Sequence, residues 1–245
     1  MKRFGLIGYP LGHSYSREFF TNKFEELGLE DHVYELFEME HLNLFPALWL
    51  KHVDLVGVNV TVPHKERVLK YLDKQDTSSI KVGAANVIFR QGRKLIGYNT
   101  DYMAFRESLT NWVDFKGEAL ILGSGGASKA VQAALSDLNI PFNQVSRDVH
   151  SGDYTYGQLQ TNPEVIERFH LIINTTPLGM HPNIDSKPEI PYDRVGANHY
   201  LFDLVYNPEA TAFLKAGEER GAKIKNGIEM LELQAERSWD IWNSN

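Results

Sequence analysis

The stretch Glu118-Ala-Leu-Ile-Leu-Gly-Ser-Gly-Gly-Ala-Ser-Lys129 decides the fold of this chain. It begins as a short apolar run, turns through a glycine-rich segment and continues into helix-forming residues up to Leu138. A buried strand that turns through glycines into a helix is typical of dinucleotide-binding domains, because the turn lets phosphate approach the backbone and the helix N-terminus offers free N–H groups. We therefore predict a phosphate-binding loop at Gly123, Ser124, Gly125, Gly126 and Ala127.

On both sides of this stretch, short β-rich runs alternate with helical stretches, which predicts an α/β fold with mainly parallel sheets. In the first half we predict strands at 4–8, 33–38, 55–62, 86–90 and 94–98, and helical stretches at 16–27, 41–50, 66–72 and 102–109, the last capped by Asp101. In the second half we predict strands at 118–122, 142–146, 171–174 and 200–204, an irregular segment at 148–157, and helices at 129–138, 211–220 and 228–242.

The pattern divides into two domains without a Gly/Ser-rich linker between them. We predict a first α/β domain over 1–103 and a doubly wound, Rossmann-type dinucleotide-binding domain over 104–226. The C-terminal segment 227–245 carries an apolar stripe along a long amphipathic helix, and we expect it to pack back on the first domain.

Composition excludes several classes of protein. The 245 residues carry a net charge of -7, so there is no basic surplus with which to bind nucleic acid. There is no cysteine, which excludes disulfides and thiolate chemistry and is compatible with a reducing compartment, so we expect a cytoplasmic protein. No apolar run is long enough to span a membrane. The nine histidines show no metal-binding spacing, so we expect no metal site. We expect a monomer or a homodimer.

The residues after the strand at 142–146 bear on the identity of the cofactor. An acidic residue at this point serves the ribose of NAD, whereas arginine accommodates the 2′-phosphate of NADP. Arg147 stands here and favours NADP, although a solvated loop charge is the plainer interpretation. Asp148 follows directly, and it either pairs with Arg147 or serves the ribose of NAD. The residue pattern by itself leaves these alternatives open.

Polar residues also gather at predicted strand ends in the first half, at 11–16, 57–65, 83–86 and 97–101. Ligand-binding residues of α/β folds occupy such positions. Lys65 and Asp101 are the strongest candidates for a catalytic pair. A lysine can exchange a proton with a substrate hydroxyl, and a carboxylate can hold the lysine in place or relay the proton itself. Plainer interpretations exist: Ser14 and Ser16 as helix caps, Lys65 as a solvated residue, and Asp101 as an N-cap.

The chain resembles the shikimate dehydrogenase family along nearly its full length. The motifs that carry the resemblance are Gly8-Tyr9-Pro10-Leu11-Gly12-His13-Ser14-Tyr15-Ser16, Asn59-Val60-Thr61-Val62-Pro63-His64-Lys65, Gly83-Ala84-Ala85-Asn86, Asn99-Thr100-Asp101, the glycine loop, Asn174-Thr175-Thr176-Pro177-Leu178-Gly179-Met180, Asp203-Leu204-Val205-Tyr206-Asn207-Pro208, and Asn226-Gly227-Ile228-Glu229-Met230-Leu231 leading to Gln234. The serine-x-serine and N-V-T-x-P-x-K motifs together are specific, whereas the glycine loop alone is not.

The resemblance implies reversible, NADP-dependent reduction of 3-dehydroshikimate to shikimate, a step of aromatic amino-acid biosynthesis. It implies Lys65 and Asp101 as the catalytic pair, and a substrate-binding role for the first domain. The implied substrate ligands are Ser14, Ser16, Asn59, Thr61, Asn86, Tyr206 and Gln234. The implied cofactor ligands beyond the glycine loop are Ser146, Arg147, Thr175, Met180, Val205 and Gly227.

Three departures from the family pattern concern the cofactor. Ser146-Arg147-Asp148 replaces the usual Asn-Arg-Thr, Ser151 stands where a second basic residue is usual, and Glu229 replaces a glycine of the tail motif. These departures leave NADP preference open at this stage, and Glu229 either alters the nicotinamide pocket or points outward. The alternatives are a quinate/shikimate dehydrogenase that uses NAD and a catalytically weak member that acts as a sensor.

Overall fold

The structure is a computed structural model that describes residues 1–12 and 14–244. His13 of the first motif and Asn245 of the predicted C-terminal segment lie outside the described residues. The chain forms two compact units, one made of Met1–Asp101 with the C-terminal residues from Gln234, the other of Tyr102–Leu233. No helix among the described residues is long and apolar enough to cross a membrane.

The first unit contains a mixed sheet with helices packed on it. Its strands are β1 (Lys2–Gly8), β2 (His32–Glu38), β3 (Leu55–Val60), β4 (Lys74–Gln75), β5 (Val87–Gln91) and β6 (Lys94–Tyr98), and its helices are α1 (Tyr15–Glu26), α2 (Phe45–Lys51) and α3 (Thr77–Val82), with 3-10 turns at Leu42–Leu44 and Arg67–Tyr71. The described strands lie in the order β2-β1-β3-β5-β6-β4. Strand β1 is parallel to both β2 and β3, so the residues that follow β1 and β3 meet at one edge of the sheet.

The second unit contains the sheet that the opening stretch predicts. After α4 (Thr100–Trp112) come β7 (Ala119–Leu122), α5 (Gly126–Asp137), β8 (Phe142–Ser146), β9 (Tyr154–Thr155), α6 (Tyr156–Thr161), α7 (Val165–Arg168), β10 (Leu171–Asn174), a 3-10 turn at Tyr192–Arg194, β11 (Tyr200–Asp203), α8 (Ala212–Glu218), β12 (Lys223–Lys225) and α9 (Ile228–Asn243). The described strands pair in parallel in the order β12-β11-β10-β7-β8-β9. Read from the other edge and numbered within the unit, this is the 3-2-1-4-5-6 order of doubly wound domains, and it confirms the predicted fold class.

The C-terminal helix packs on the first unit from Gln234 onward, as predicted, whereas its first turns at 228–233 belong to the second unit. Ala235 and Trp242 of α9 are buried in one cluster with Phe4, Phe20 and other apolar residues of that unit. The Trp242 indole N–H donates to the Ile88 carbonyl oxygen over 3.1 Å, which satisfies the polar end of a buried aromatic ring.

The structure corrects the sequence predictions at several boundaries. Helix α4 begins at Thr100, so Asp101 lies in its first turn and is not the N-cap. The helix after the glycine loop begins at Gly126 and not at Lys129, because Gly125 is already the extended N-cap residue. The stretch at 66–72 forms a 3-10 turn over Arg67–Tyr71.

The segment at 148–157 is not wholly irregular. It ends in β9 and in the start of α6, where the Thr155 hydroxyl accepts from the Gln158 N–H and the Gln158 side chain accepts from the Thr155 N–H. This reciprocal capping box stabilises the first turn of a helix that has little apolar periodicity of its own.

Candidate active site

The first unit brings Lys65 and Asp101 into direct contact. Lys65 Nζ lies 2.7 Å from Asp101 Oδ2, and the two side chains are 19% and 12% exposed. Lys65 follows β3 on the turn that begins at Thr61, and Asp101 projects from the first turn of α4. The pair is therefore partly withdrawn from water but remains open to a ligand, which is the placement a proton-transferring pair requires.

Asn86 joins this pair to the C-terminal helix. Its side-chain amide Nδ2 lies 2.9 Å from Asp101 Oδ1, 2.9 Å from Thr100 Oγ1 and 3.4 Å from Gln234 Oε1. Its Oδ1 accepts from the Thr100 N–H over 2.7 Å, which fixes the orientation of the amide. The structure thus brings together four predicted site residues: Lys65, Asn86, Asp101 and Gln234.

Asn59 is buried, and its amide is occupied by the protein itself. Its Oδ1 accepts from the Tyr34 hydroxyl over 2.8 Å, and its Nδ2 donates to Ser238 Oγ over 2.9 Å. Ser238 Oγ in turn donates to the Gln234 carbonyl oxygen over 2.7 Å. These bonds occupy both ends of the Asn59 amide and connect it through Ser238 to the backbone of Gln234. No motif in the sequence indicates Tyr34. The sequence signal for Ser238 is its position one helical turn after Gln234.

Ser14, Ser16 and Thr61 lie where β1 and β3 end. Ser14 is the N-cap residue of α1, but its side chain makes no capping hydrogen bond, so the plainer interpretation as a side-chain cap is not supported. Ser16 lies in the first turn of α1 and interacts with the Tyr34 hydroxyl. The Thr61 N–H donates to the Ile7 carbonyl oxygen over 2.8 Å, which joins the two strand ends.

Tyr206 lies in the second unit, on the loop that follows β11. It is partly buried, and this burial raises the pKa of its hydroxyl.

The glycine loop of the second unit fits a phosphate group. Gly123 has a φ of +112°, and a Cβ built on it would lie 2.8 Å from Thr175 Oγ1, so only glycine fits there. A Cβ built on Gly125 meets no atom within 4 Å, so there is open space beside the N-cap residue of α5. Such a helix N-terminus binds anions. The buried Ser128 stands where the usual G-x-G-x-x-G pattern of dinucleotide-binding loops has its third glycine, and its hydroxyl donates to the Gly125 carbonyl oxygen over 2.9 Å.

Arg147 is exposed at the end of β8, and the carboxylate of the adjacent Asp148 is hydrogen-bonded within its own turn. Asp148 accepts from the His150 N–H over 3.0 Å and from Ser151 Oγ over 2.7 Å, and these bonds hold the pKa of its carboxyl below the usual value. Ser151, which stands where the family pattern has a basic residue, thus holds the neighbouring carboxylate within its own turn. Ser146 Oγ lies 3.1 Å from Ser124 Oγ of the glycine loop.

The remaining predicted cofactor ligands lie on loops that follow adjacent strands. Thr175 follows β10, and its hydroxyl donates to the Leu122 carbonyl oxygen at the end of β7 over 2.8 Å. Met180 lies on the same loop and is 46% exposed. Val205 follows β11, and its carbonyl oxygen accepts from the Gly227 N–H over 3.2 Å. Since β7 and β10 are the strands at which the order of the sheet reverses, these loops surround the usual dinucleotide position of a doubly wound fold.

Glu229 is held by neighbours in its own unit. Its carboxylate accepts from Ser108 Oγ over 3.0 Å, from Asn111 Nδ2 over 2.9 Å and from Lys225 Nζ. These bonds lower the pKa of the Glu229 carboxyl despite its partial burial. The departure from the tail motif therefore fastens the start of α9 to α4. Among the described residues, no group of three or more acidic or histidine side chains is placed to hold a metal ion.

Comparison with known proteins places these features in one family. A sequence model of the shikimate dehydrogenase substrate binding domain matches residues 6–88. The NADP(+) shikimate dehydrogenase of Clostridium beijerinckii is 39% identical, over 99% of this chain and 92% of the relative. Shikimate dehydrogenase 1 from Peptoclostridium difficile superposes with a TM-score of 0.84 at 36% identity, covering 99% of this chain and 91% of that one. The shikimate 5-dehydrogenase of Thermus thermophilus, in complex with NADP(H) and shikimate, gives a TM-score of 0.87 at 30% identity, covering 99% and 94%.

Proposed function

The chain belongs to the shikimate dehydrogenase family, and from this premise we propose which of its residues carry out the reaction. The protein is an NADP-dependent oxidoreductase that reversibly reduces 3-dehydroshikimate to shikimate. The observation that carries the assignment is the contact between Lys65 and Asp101, which share one hydrogen-bonded cluster with Asn86 and Gln234.

Lys65 is the residue that moves the proton. Bound NADPH would supply the hydride that is added to the substrate carbonyl carbon. The carbonyl oxygen must then gain a proton to complete the secondary alcohol. Asp101 accepts at both oxygens, from Lys65 and from Asn86, and an ionised carboxylate has no proton to give. Asp101 therefore orients the Lys65 ammonium group, which donates to the substrate oxygen. In the reverse direction the neutral Lys65 amine takes the proton back.

The other first-unit residues bind the substrate. We assign the hydroxyls of Ser14 and Ser16 to the substrate carboxylate, and the side chains of Thr61, Asn86 and Gln234 to its ring oxygens. The absence of a side-chain capping bond at Ser14 supports this assignment, because its hydroxyl is not committed to the helix. Asn59 orients Gln234 through Ser238. Tyr206 of the second unit remains a predicted substrate ligand.

The second unit holds the cofactor. The N–H groups of the glycine loop suit the pyrophosphate, and the guanidinium of Arg147 suits the 2′-phosphate by charge and by its planar donor geometry. Support comes from the open space beside Gly125 and from the turn that keeps the Asp148 carboxylate occupied. Ser146, Thr175, Met180, Val205 and Gly227 complete the proposed set.

We also propose that the protein is cytoplasmic and is a monomer or a homodimer. The lack of cysteine supports the first statement, since it is compatible with a reducing compartment. Light scattering on the eluting peak of a gel-filtration column measures the second.

The test of the function is a steady-state assay of the purified protein with shikimate or quinate against NADP or NAD, followed through the absorbance of the reduced nicotinamide. We expect the highest kcat/KM for shikimate with NADP. A preference for quinate with NAD would show the alternative dehydrogenase. Binding without turnover in all four pairings would show a sensor.

A further inference from the structure

A fully buried carboxylate, Asp203, lies at the end of β11 in the second unit. Its hydrogen-bond partners are all neutral. Oδ1 accepts from Asn174 Nδ2 over 2.9 Å and from the Val205 N–H over 3.0 Å, and Oδ2 accepts from Thr211 Oγ1 over 2.6 Å. Burying a carboxylate is costly even when it is hydrogen-bonded. Its presence here therefore asks for a reason beyond packing.

Charge is the property that lets one side chain meet all three partners. Each partner donates a hydrogen bond to Asp203, and an ionised carboxylate offers acceptors on both oxygens. Asparagine, its neutral isostere, offers one acceptor oxygen and turns a donor toward the remaining partner. The site is built for an acceptor-only group.

Asp203 and Asn174 together hold two loops. The two residues are paired in register on the adjacent strands β10 and β11. Asn174 Oδ1 accepts from the Thr176 N–H over 3.0 Å and from the Thr176 hydroxyl over 2.6 Å, and Asn174 Nδ2 also lies 3.3 Å from the Leu178 carbonyl oxygen. One end of this pair thus fixes the loop after β10, and the other end fixes Val205 on the loop after β11.

Thr211 ties the same carboxylate to α8. Its hydroxyl donates to Asp203 and accepts from the Leu214 N–H over 3.3 Å as the N-cap of the helix. The loop after β10 also returns to this point. A Cβ built on Gly179, whose φ is +91°, would lie 3.2 Å from the Thr211 Cβ.

We propose that Asp203 is a positioning residue for cofactor binding, which it serves by fixing the loops that carry the proposed cofactor ligands Thr175, Met180 and Val205. The inference rests on the proposed function only in the identity of the cofactor. Asp203 does not touch the cofactor, since it is fully buried beneath the loops it holds. Its loss therefore alters cofactor binding through loop geometry.

The experiment compares Asp203→Ala, Thr211→Val and Thr211→Ser with the wild-type protein. The readouts are the Kd for NADPH by fluorescence titration, the KM values for both substrates, and the Tm. We expect Asp203→Ala and Thr211→Val to raise the Kd and KM for the cofactor about tenfold or more, the loss expected from one or two hydrogen bonds. The KM for 3-dehydroshikimate should change less than about twofold. Thr211→Ser keeps the hydroxyl and should recover most of the cofactor affinity.

Thr155→Val is the matched control. It removes the N-cap hydroxyl of α6 in the same unit, and so reproduces the loss of a helix cap without touching the loops after β10 and β11. We expect this control to lose as much Tm as Thr211→Val does and to bind NADPH as tightly as the wild type. If Thr155→Val weakens NADPH binding as much as Thr211→Val does, general destabilisation explains the effect and the proposal fails.

The remaining outcomes are decisive. If folded variants at Asp203 and Thr211 bind NADPH as tightly as the wild type does, Asp203 is a structural residue only. The same conclusion follows if the KM values for both substrates rise equally. If Asp203→Ala does not fold, the comparison of Thr211→Val with Thr211→Ser decides. The binding titration does not need turnover. A wild-type protein that binds NADPH without reducing 3-dehydroshikimate would overturn the proposed function, while the response of NADPH affinity to Asp203 would still be measured.

Discussion

Lys65 and Asp101 meet across 2.7 Å although they lie 36 positions apart in the chain. Each arrives by a short, constrained route, Lys65 on the turn after β3 and Asp101 in the first turn of α4. Asn86 contacts the second carboxylate oxygen, so the orientation of Asp101 is set from two sides. An ionised acceptor held in this way fixes the donor that faces it, which is the preorganisation that proton transfer requires.

Replacing Lys65 by alanine should remove the proton donor. We expect Lys65→Ala to lower kcat by at least about 10²-fold, the low end of general acid–base contributions. The KM for NADP should change little, because the proposed cofactor ligands lie in the other unit. Steady-state kinetics measure both quantities.

The control is Lys94→Ala, which removes an exposed lysine from β6 of the same unit and should leave kcat unchanged. Turnover of Lys65→Ala within a few fold of the wild type would mean that another group moves the proton.

Asn59 should act on the substrate through Gln234. We expect Asn59→Ala to raise the KM for 3-dehydroshikimate several-fold, because Ser238 and the backbone of Gln234 lose their anchor. Stability should fall by about 1–3 kcal/mol, since Tyr34 and Ser238 are left with unmet hydrogen-bonding groups. Kinetics and urea unfolding measure the two effects separately.

Ser79→Ala provides the comparison for Asn59. It removes a buried hydroxyl that donates to Gln75 Oε1 in the same unit, so it should lower stability and leave the KM unchanged. An equal rise in KM for this variant would show that lost stability alone accounts for the Asn59 effect.

The contact among Lys65, Asn86 and Asp101 could be predicted from the sequence because these residues lie next to strand ends. The parallel pairing of β1 with β3 and the hairpin of β5 with β6 bring the short motifs at the ends of these strands close together. The contacts of Asn59 were harder to predict. Its amide is used up by Tyr34 and Ser238, and a motif does not show which polar groups the fold itself will occupy.

The fold was likewise predicted well only where the local sequence determines the element. The long helices α1 and α9 were predicted to within one residue at each end. The short strands β4, β9 and β12 were missed, because two or three residues carry no alternation, and their pairing depends on a neighbouring strand that is already in place. The shift of the start of α4 to Thr100 follows from the bonds that Thr100 makes with Asn86, a contact between segments.

Arg147 should discriminate between the two nicotinamide cofactors. We expect Arg147→Ala to raise the KM for NADP about tenfold or more, the loss expected for a charge-assisted hydrogen bond, and to change the KM for NAD less than about twofold. Arg93→Ala, at the exposed turn between β5 and β6, is the control for the loss of a surface charge. Equal changes for NADP and NAD would remove Arg147 from the 2′-phosphate site.

Ser151 should protect this discrimination by holding Asp148. In Ser151→Ala the Asp148 carboxylate loses its 2.7 Å bond to the serine hydroxyl and becomes free to pair with the neighbouring Arg147. We expect the preference for NADP over NAD to fall. In an Asp148→Asn background the same substitution should have no effect, because there is no charge to release. A double-mutant cycle on kcat/KM measures this coupling, and additive effects would contradict it.

Asp203 should make stability depend on pH in an unusual direction. Burial raises the pKa of its carboxyl to about 6, against 3.8 for the unperturbed group. Its titratable neighbour Tyr192, whose own pKa is raised by burial, stays neutral in this range. Between about pH 4 and pH 6 the folded state binds more protons than the unfolded state, so the contribution of Asp203 to stability falls as the pH rises.

Asp203→Asn isolates this contribution from that of the other carboxyls. Above about pH 6 the wild-type protein bears the full cost of the buried charge, and below about pH 4 it bears none. The free energy of unfolding of the wild type, relative to Asp203→Asn, should therefore drop by about 2–3 kcal/mol from about pH 4 to about pH 7. Urea unfolding of both proteins across this range measures the difference. A difference that stays flat with pH would mean that Asp203 ionises in the folded protein as it does in the unfolded chain, and a difference that grows with pH would mean that its three donors outweigh its burial.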